Sequence, residues 1–197
     1  MDDQLKWSHQ IKHCQAKLSS SLYAIRSARH ILSGNHLSIL YNSLIQPYLD
    51  YGTLLWGASG KSIIKPLQMS QKKAIRLVCN ANYNSPTKEL LRQKNCLSLD
   101  DIYNFQICKF MYDYNKGSLP RGLSGIFSYN HDVHAHNTRH RNDPFITSRR
   151  SVFASKSLLH LGPKLWHAIP SNIKESNSAS HFSKKLKKYY IHKYNIL

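Results

Sequence analysis

Residues 61–80, KSIIKPLQMSQKKAIRLVCN, separate cleanly into two faces when wound as a helix. Ile64, Leu67, Ala74, Ile75 and Val78 fall on one apolar stripe at helical spacing. Lys65, Lys73 and Arg76 project from one flank, with Lys72 beside them. A charged flank of this kind serves equally well as a solvated surface or as a contact for phosphates.

Working outward, the same periodicity predicts further helices. Residues 4–33 carry Ile11, Cys14, Leu18, Leu22, Ile25 and Leu32 on one stripe, with Gly34 as the stop and Asn35 as the cap of a second helix. That second helix sets Leu37, Leu40, Tyr41, Leu44 and Tyr48 on one face, and Pro47 should bend or end it. Ser85-Pro86 is expected to open a short helix. Ser98 caps a long one over 99–116, whose first turn holds Asp100 and Asp101 as the helix dipole favours. That helix is apolar on most of its girth, as a spine of a bundle would be.

Past Gly117 the texture changes. Residues 118–150 are rich in Gly, Pro, Asn, His and Arg and read as loop with a short hairpin. Helical signals return at Pro163, placed in a first turn before Leu165 and Trp166, and again over 178–194. There Phe182, Leu186, Tyr189 and Tyr190 share one side, and Lys184, Lys185, Lys187 and Lys188 spread over the other. The expected fold is therefore mainly α: a helical bundle over 1–117, a basic His/Arg loop region over 118–150 and a helical tail over 151–197 that ends in an amphipathic helix.

Charge narrows the function. Lys and Arg number 28 against 10 acids among 197 residues, a net charge of +18 with His neutral. Self-repulsion on that scale points to a polyanionic partner, nucleic acid first and an anionic membrane surface second. The surplus is uneven: 14 basic against 7 acidic residues over 1–115, then 14 against 3 over 116–197. No apolar run approaches the roughly 20 residues of a membrane-spanning helix, and the start has no signal-peptide pattern. Intracellular residence, nuclear or cytoplasmic, is the expectation. Cys14, Cys79, Cys96 and Cys108 are then reduced thiols.

Motifs for catalysis nearly form and fail at needed residues. Gly60-Lys61-Ser62 has the end of a phosphate-binding loop, but Leu55 stands where the first glycine belongs. Gly57-Ala58-Ser59 and Gly122-Leu123-Ser124 would start nucleophile elbows, yet Lys61 and Ile126 replace the closing glycine. His9 and His13 have zinc-protease spacing, with Gln10 in place of the glutamate base. His131, His134, His136 and His140 could offer metal ligands, but Arg139 and Arg141 beside them would repel a dication. Asp100-Asp101 has the look of a two-metal pair without an obvious third carboxylate. No catalytic residue, cofactor or metal is expected.

Several segments in order carry a resemblance. They are Asp2 to Ile11; Leu40-Tyr41-Asn42-Ser43-Leu44-Ile45-Gln46-Pro47-Tyr48-Leu49-Asp50-Tyr51-Gly52 with Leu55-Trp56-Gly57; and Gln71-Lys72-Lys73-Ala74-Ile75-Arg76. In the tail they are Tyr129 to Arg139, then Gly162-Pro163-Lys164-Leu165-Trp166 with Ile169-Pro170, then Phe182 with Lys184 to Lys187. Together they resemble the carboxy-terminal part of reverse transcriptases from non-LTR (LINE-type, jockey-like) retrotransposons. The resemblance implies a polymerase-thumb-like bundle and tail, the metal-binding aspartates of the palm lying upstream of everything present. It also implies a truncated copy or a frame opened at an internal Met, with the palm as partner in the parent enzyme.

The expected function is non-catalytic binding of RNA or DNA through the sugar-phosphate backbone. The candidate contacts are Lys65, Lys72, Lys73 and Arg76; Arg139, Arg141, Arg149 and Arg150 in the tail; and Lys184, Lys185, Lys187 and Lys188. Trp56 and Trp166 read as core anchors. The competing expectation is a helical scaffold that binds protein, or itself, through exposed apolar surface.

Overall fold

The computed structural model of the chain describes residues 7–133, 141, 143–146, 148 and 151–195. Among these the chain is mainly helical, with no strand. The helices are α1 (Ser8–Ala28), α2 (Gly34–Leu44), α3 (Gln46–Asp50), α4 (Thr53–Trp56), α5 (Lys61–Val78), α6 (Thr87–Gln93) and α7 (Leu99–Asn115). After them come α8 (Asn130–Val133), α9 (Val152–Lys156), α10 (Leu158–Ala168), α11 (Ser171–Lys174) and α12 (Ala179–His192). No described helix is long and apolar enough to cross a membrane.

Two compact units divide the chain. One holds the described residues up to Tyr103 together with those from Lys188 onward; the other is Asn104–Lys187. The division falls inside α7 and inside α12.

In the first unit α1 packs along α5. Ile11, Cys14, Leu18 and Ile25 on α1 and Ile64, Leu67, Ala74, Ile75 and Val78 on α5 are all buried and form this core, whereas Leu22 and Leu32 of the expected α1 stripe are half-buried and Leu32 lies past the helix end. Each fully buried aliphatic side chain contributes about 1.5–3 kcal/mol. Ser21, also buried, donates to the Leu44 carbonyl (3.0 Å) and ties α1 to α2. Gln71 is the polar exception on the inner face of α5. Its amide donates to the Tyr41 hydroxyl (3.1 Å) and the Leu97 carbonyl (2.9 Å) and accepts from the Leu99 N–H (2.9 Å). One buried side chain thereby joins α2, α5 and the start of α7.

Gly57 is required by close approach. A Cβ there would stand 2.3 Å from Cδ2 of Tyr103 and 2.5 Å from the Thr53 carbonyl. Trp56 beside it is buried and donates to the Tyr51 carbonyl (2.9 Å), which makes it a core anchor. Ser98 caps α7 through the Asp101 N–H (3.3 Å) and Asp101 returns to the Ser98 hydroxyl, while Tyr194 accepts from the Ser98 N–H (2.9 Å) and donates to Asp101. Asp100 accepts from Gln68. Both aspartates of the tempting pair are thus engaged at the helix start, and no three of His, Cys, Asp and Glu gather as metal ligands among the described residues.

The second unit is built on three rings and a glycine. Tyr112 stacks on Phe182 (4.3 Å between centroids) and donates to the Ser176 carbonyl (2.7 Å); Trp166, buried, lies 6.1 Å from Phe182. Gly162 admits Met111, whose Sδ would be 2.9 Å from any Cβ.

Several boundaries differ from those read in the sequence. α1 ends at Ala28, and Gly34 begins α2 with Ser33 at its cap, so Gly34 is a start rather than a stop. Pro86 is the residue before α6, not its first turn. α10 starts at Leu158, five residues before Pro163, because the buried Gly162-Pro163 pair packs inside the helix. Between 118 and 150 the described residues meet at one isolated antiparallel bridge, Tyr129 with Pro144.

Candidate nucleic-acid interface

Nothing in the sequence pattern alone brings α1 and α5 cations together; packing does. Along α1, Leu22, Arg26 and Arg29 fall on one line at i, i+4 and i+7, beside the buried stripe. Docking that stripe on α5 sets this line facing Lys73, Arg76 and Leu77. The result is a cleft of about 390 Å³ lined by Leu22, Arg26, Arg29, Lys73, Arg76, Leu77, Ala81 and Tyr83. Four cations line it and no carboxylate does. Arg26 and Arg76 stand in the last turns of their helices and Arg29 at the C-cap, where the helix dipole favours positive charge.

The segment after α5 completes the wall. Asn80 takes the left-handed conformation (φ 50°), a position that asparagine tolerates, and the Ala81 N–H returns to the Arg76 carbonyl (2.9 Å). A turn comes next, closed by the Ser85 N–H on the Asn82 carbonyl (3.0 Å). Arg76 holds this turn from below: its Nε donates to the Ser85 carbonyl (3.0 Å), and its guanidinium carbon stands 5.8 Å over the Tyr83 ring. Tyr83 itself is 72% exposed. The Arg76 guanidinium is therefore fixed in place before any ligand arrives, and Arg26, Arg29 and Lys73 meet no carboxylate among the described residues.

The remaining expected contacts divide. Lys65 and Lys72 are exposed on α5 and lie outside the cleft lining. On α12, Lys184 and Lys188 are exposed and Lys185 and Lys187 half-buried; Lys185 spends its amine on the Asn172 carbonyl (3.0 Å). At about 100° per residue these four lysines span roughly 160° of the helix, a spread rather than a convergence. Arg141 is exposed, and its carbonyl accepts from the His131 backbone N–H (3.0 Å) and faces Nδ1 of the His131 ring (3.2 Å). Arg139, Arg149 and Arg150 lie outside the described residues, as do His134, His136 and His140. Reading the sequence missed Arg26, Arg29 and Tyr83; the i, i+4, i+7 line through Leu22 was the available signal for the two arginines.

Burial also marks the phenols around this unit. It raises Tyr103 to about 12 and pushes Tyr41 up as well, with Cys96 and Asp50 acting in the same sense on Tyr41. Tyr194 is raised by burial first and then by its bond to Asp101. All three stay neutral at physiological pH, and Tyr194 keeps the proton it donates to Asp101.

Comparison with known proteins finds no matching family model, no matching curated protein and no matching solved structure.

Proposed function

We propose that the chain binds the sugar-phosphate backbone of RNA or DNA through the α1–α5 cleft, without catalysis of its own. The observation that carries this reading is the convergence of Arg26, Arg29, Lys73 and Arg76 on one concave wall with no carboxylate among them. Cations so placed hold phosphates by charge and forked hydrogen bonds and read no sequence. The net charge of +18 supports the same partner by drawing polyanions toward the surface. The resemblance of Gln71 to Arg76 and its neighbouring segments to the thumb of non-LTR retrotransposon reverse transcriptases favours a template-primer, which carries both paired strand and unpaired template, as the bound form. It makes the parent activity an RNA-directed DNA polymerase whose chemistry lies in the palm.

The test is affinity for a short oligonucleotide measured across a range of salt. Each phosphate neutralised contributes a log–log slope of about −0.9 on a duplex or about −0.7 on a single strand, so four cleft cations give about −3 to −4. Affinity that does not change between low and moderate salt sinks the reading.

A second reading has its own observation. Ile31, Ile39, Tyr51 and Leu55 are large apolar side chains more than 60% exposed in the first unit. Such surface suits a protein partner or a second copy of the chain. Sedimentation showing a discrete oligomer without nucleic acid, with no retention on heparin, would favour it.

A further inference from the structure

We infer that the α1–α5 cleft takes a single-stranded nucleic acid in preference to a duplex, seating one unpaired base on Tyr83. This rests on the reading of the cleft as a phosphate-binding wall and names the form of the polyanion it selects. Three features of the same wall carry it. Tyr83 presents a ring that is 72% exposed at the rim of a cation-lined cleft, so most of its surface is open to a ligand. That ring is preset rather than loose: the Asn82–Ser85 turn carries it, and the Arg76 guanidinium, locked by the Ser85 carbonyl, stands over the ring at 5.8 Å. A base laid on the open face would complete a guanidinium–ring–base stack. Finally, about 390 Å³ is room on the order of one nucleotide.

The geometry assigns separate work to separate residues. Arg26, Arg29 and Lys73 hold phosphates, a contact that duplex and single strand offer alike. Tyr83 needs an exposed base face, which a stacked duplex does not offer away from its ends. The preference for unpaired strands is therefore indifferent to sequence, because every base has a π-face.

The experiment compares fluorescence-anisotropy affinities of the full chain for a labelled oligonucleotide of about 12 nucleotides and for its duplex, at one salt concentration. The unaltered protein should bind the single strand about tenfold or more tightly. Tyr83→Ala should weaken single-strand binding by about 5- to 100-fold more than it weakens duplex binding, the value of one stacked base. Tyr83→Phe, which keeps the ring, should retain the preference. Equal affinity for the two forms, or a Tyr83→Ala effect of the same size on both, overturns the inference while leaving the phosphate-binding reading in place. Absence of salt-dependent binding to either form overturns both.

Discussion

The α1–α5 cleft and α12 carry similar amounts of positive charge and use it differently. Around the cleft, two helices each contribute two cations to one concavity, and one guanidinium is already fixed by a backbone carbonyl. On α12, four lysines ride a single helix, fan over a wide arc, and one of them is committed to the Asn172 carbonyl. A polyanion gains more from fixed charges that converge than from flexible ones that diverge, since less side-chain freedom is lost on binding. Counting charges does not separate the two regions. Convergence does.

The largest loss should follow from removing the buried polar link inside the first unit. Gln71→Ala strands the Tyr41 hydroxyl, the Leu97 carbonyl and the Leu99 N–H in the interior, at about 1–3 kcal/mol for each group. Chemical denaturation should show a loss of roughly 3 kcal/mol or more, and oligonucleotide binding should fall with it. The adjacent Lys72→Ala, on the exposed face, should stay within about 0.5 kcal/mol.

Next in size are changes inside the cleft that leave the fold intact. Arg29→Glu combined with Lys73→Glu should lower oligonucleotide affinity by about 100-fold or more at low salt, and Lys73→Ala alone should reduce the salt slope by about 1. Arg76→Lys separates fixed geometry from charge. It keeps the charge but loses the fixed Nε bond to Ser85, so affinity should drop about threefold to tenfold with a nearly unchanged slope. Lys184→Ala and Lys188→Ala on α12 should each change affinity by less than about twofold, measured in the same titration.

The smallest expected effect is on alkaline stability. A phenol whose folded value is raised above its ordinary 10 contributes stability that is fully present below about pH 10 and is lost as pH rises through the folded value. For Tyr103 that window runs from about 10 to about 12. Thermal unfolding followed by circular dichroism should therefore show a decline in Tm that begins near pH 9, where the buried thiols of Cys14 and Cys79 act in the same sense, and steepens beyond about pH 10. Tyr103→Phe should flatten the decline in part, because Tyr41 and Tyr194 titrate in the same direction.

How far the sequence could be read depended on whether one helix or two were needed. The stripe on α5 and that on α1 were legible because each is written into its own 3.6-residue period; the first is buried throughout, and of the second Ile11, Cys14, Leu18 and Ile25 are buried while Leu22 is half-buried in the cleft wall and Leu32 lies past the end of α1. Ser98 with Asp100 and Asp101 was legible for the same reason, since a cap is a local device. Helix ends were less so: Gly34 looks like a stop, but Ser33 in an extended conformation lets it begin the next helix instead. Pro163 looks like a first turn until Met111 needs the space beside Gly162. In the site, Lys73 and Arg76 stood out on one helix. Arg26 and Arg29 sit some fifty residues away in the chain and gain meaning only when α1 docks. Tyr83 stands in a turn with no period of its own, and its place is set by the bond from Arg76 to Ser85.

The most direct test removes equal charge from the two regions. One variant replaces Arg26, Arg29, Lys73 and Arg76 with Ala; the other replaces Lys184, Lys185, Lys187 and Lys188 with Ala. Each loses four positive charges, and the salt dependence of oligonucleotide affinity is measured for both beside the unaltered chain. The cleft variant should lose about 3 to 4 from the log–log slope and the α12 variant less than about 1. Equal losses in the two variants would mean that net charge alone binds the nucleic acid, and would contradict the assignment to the cleft.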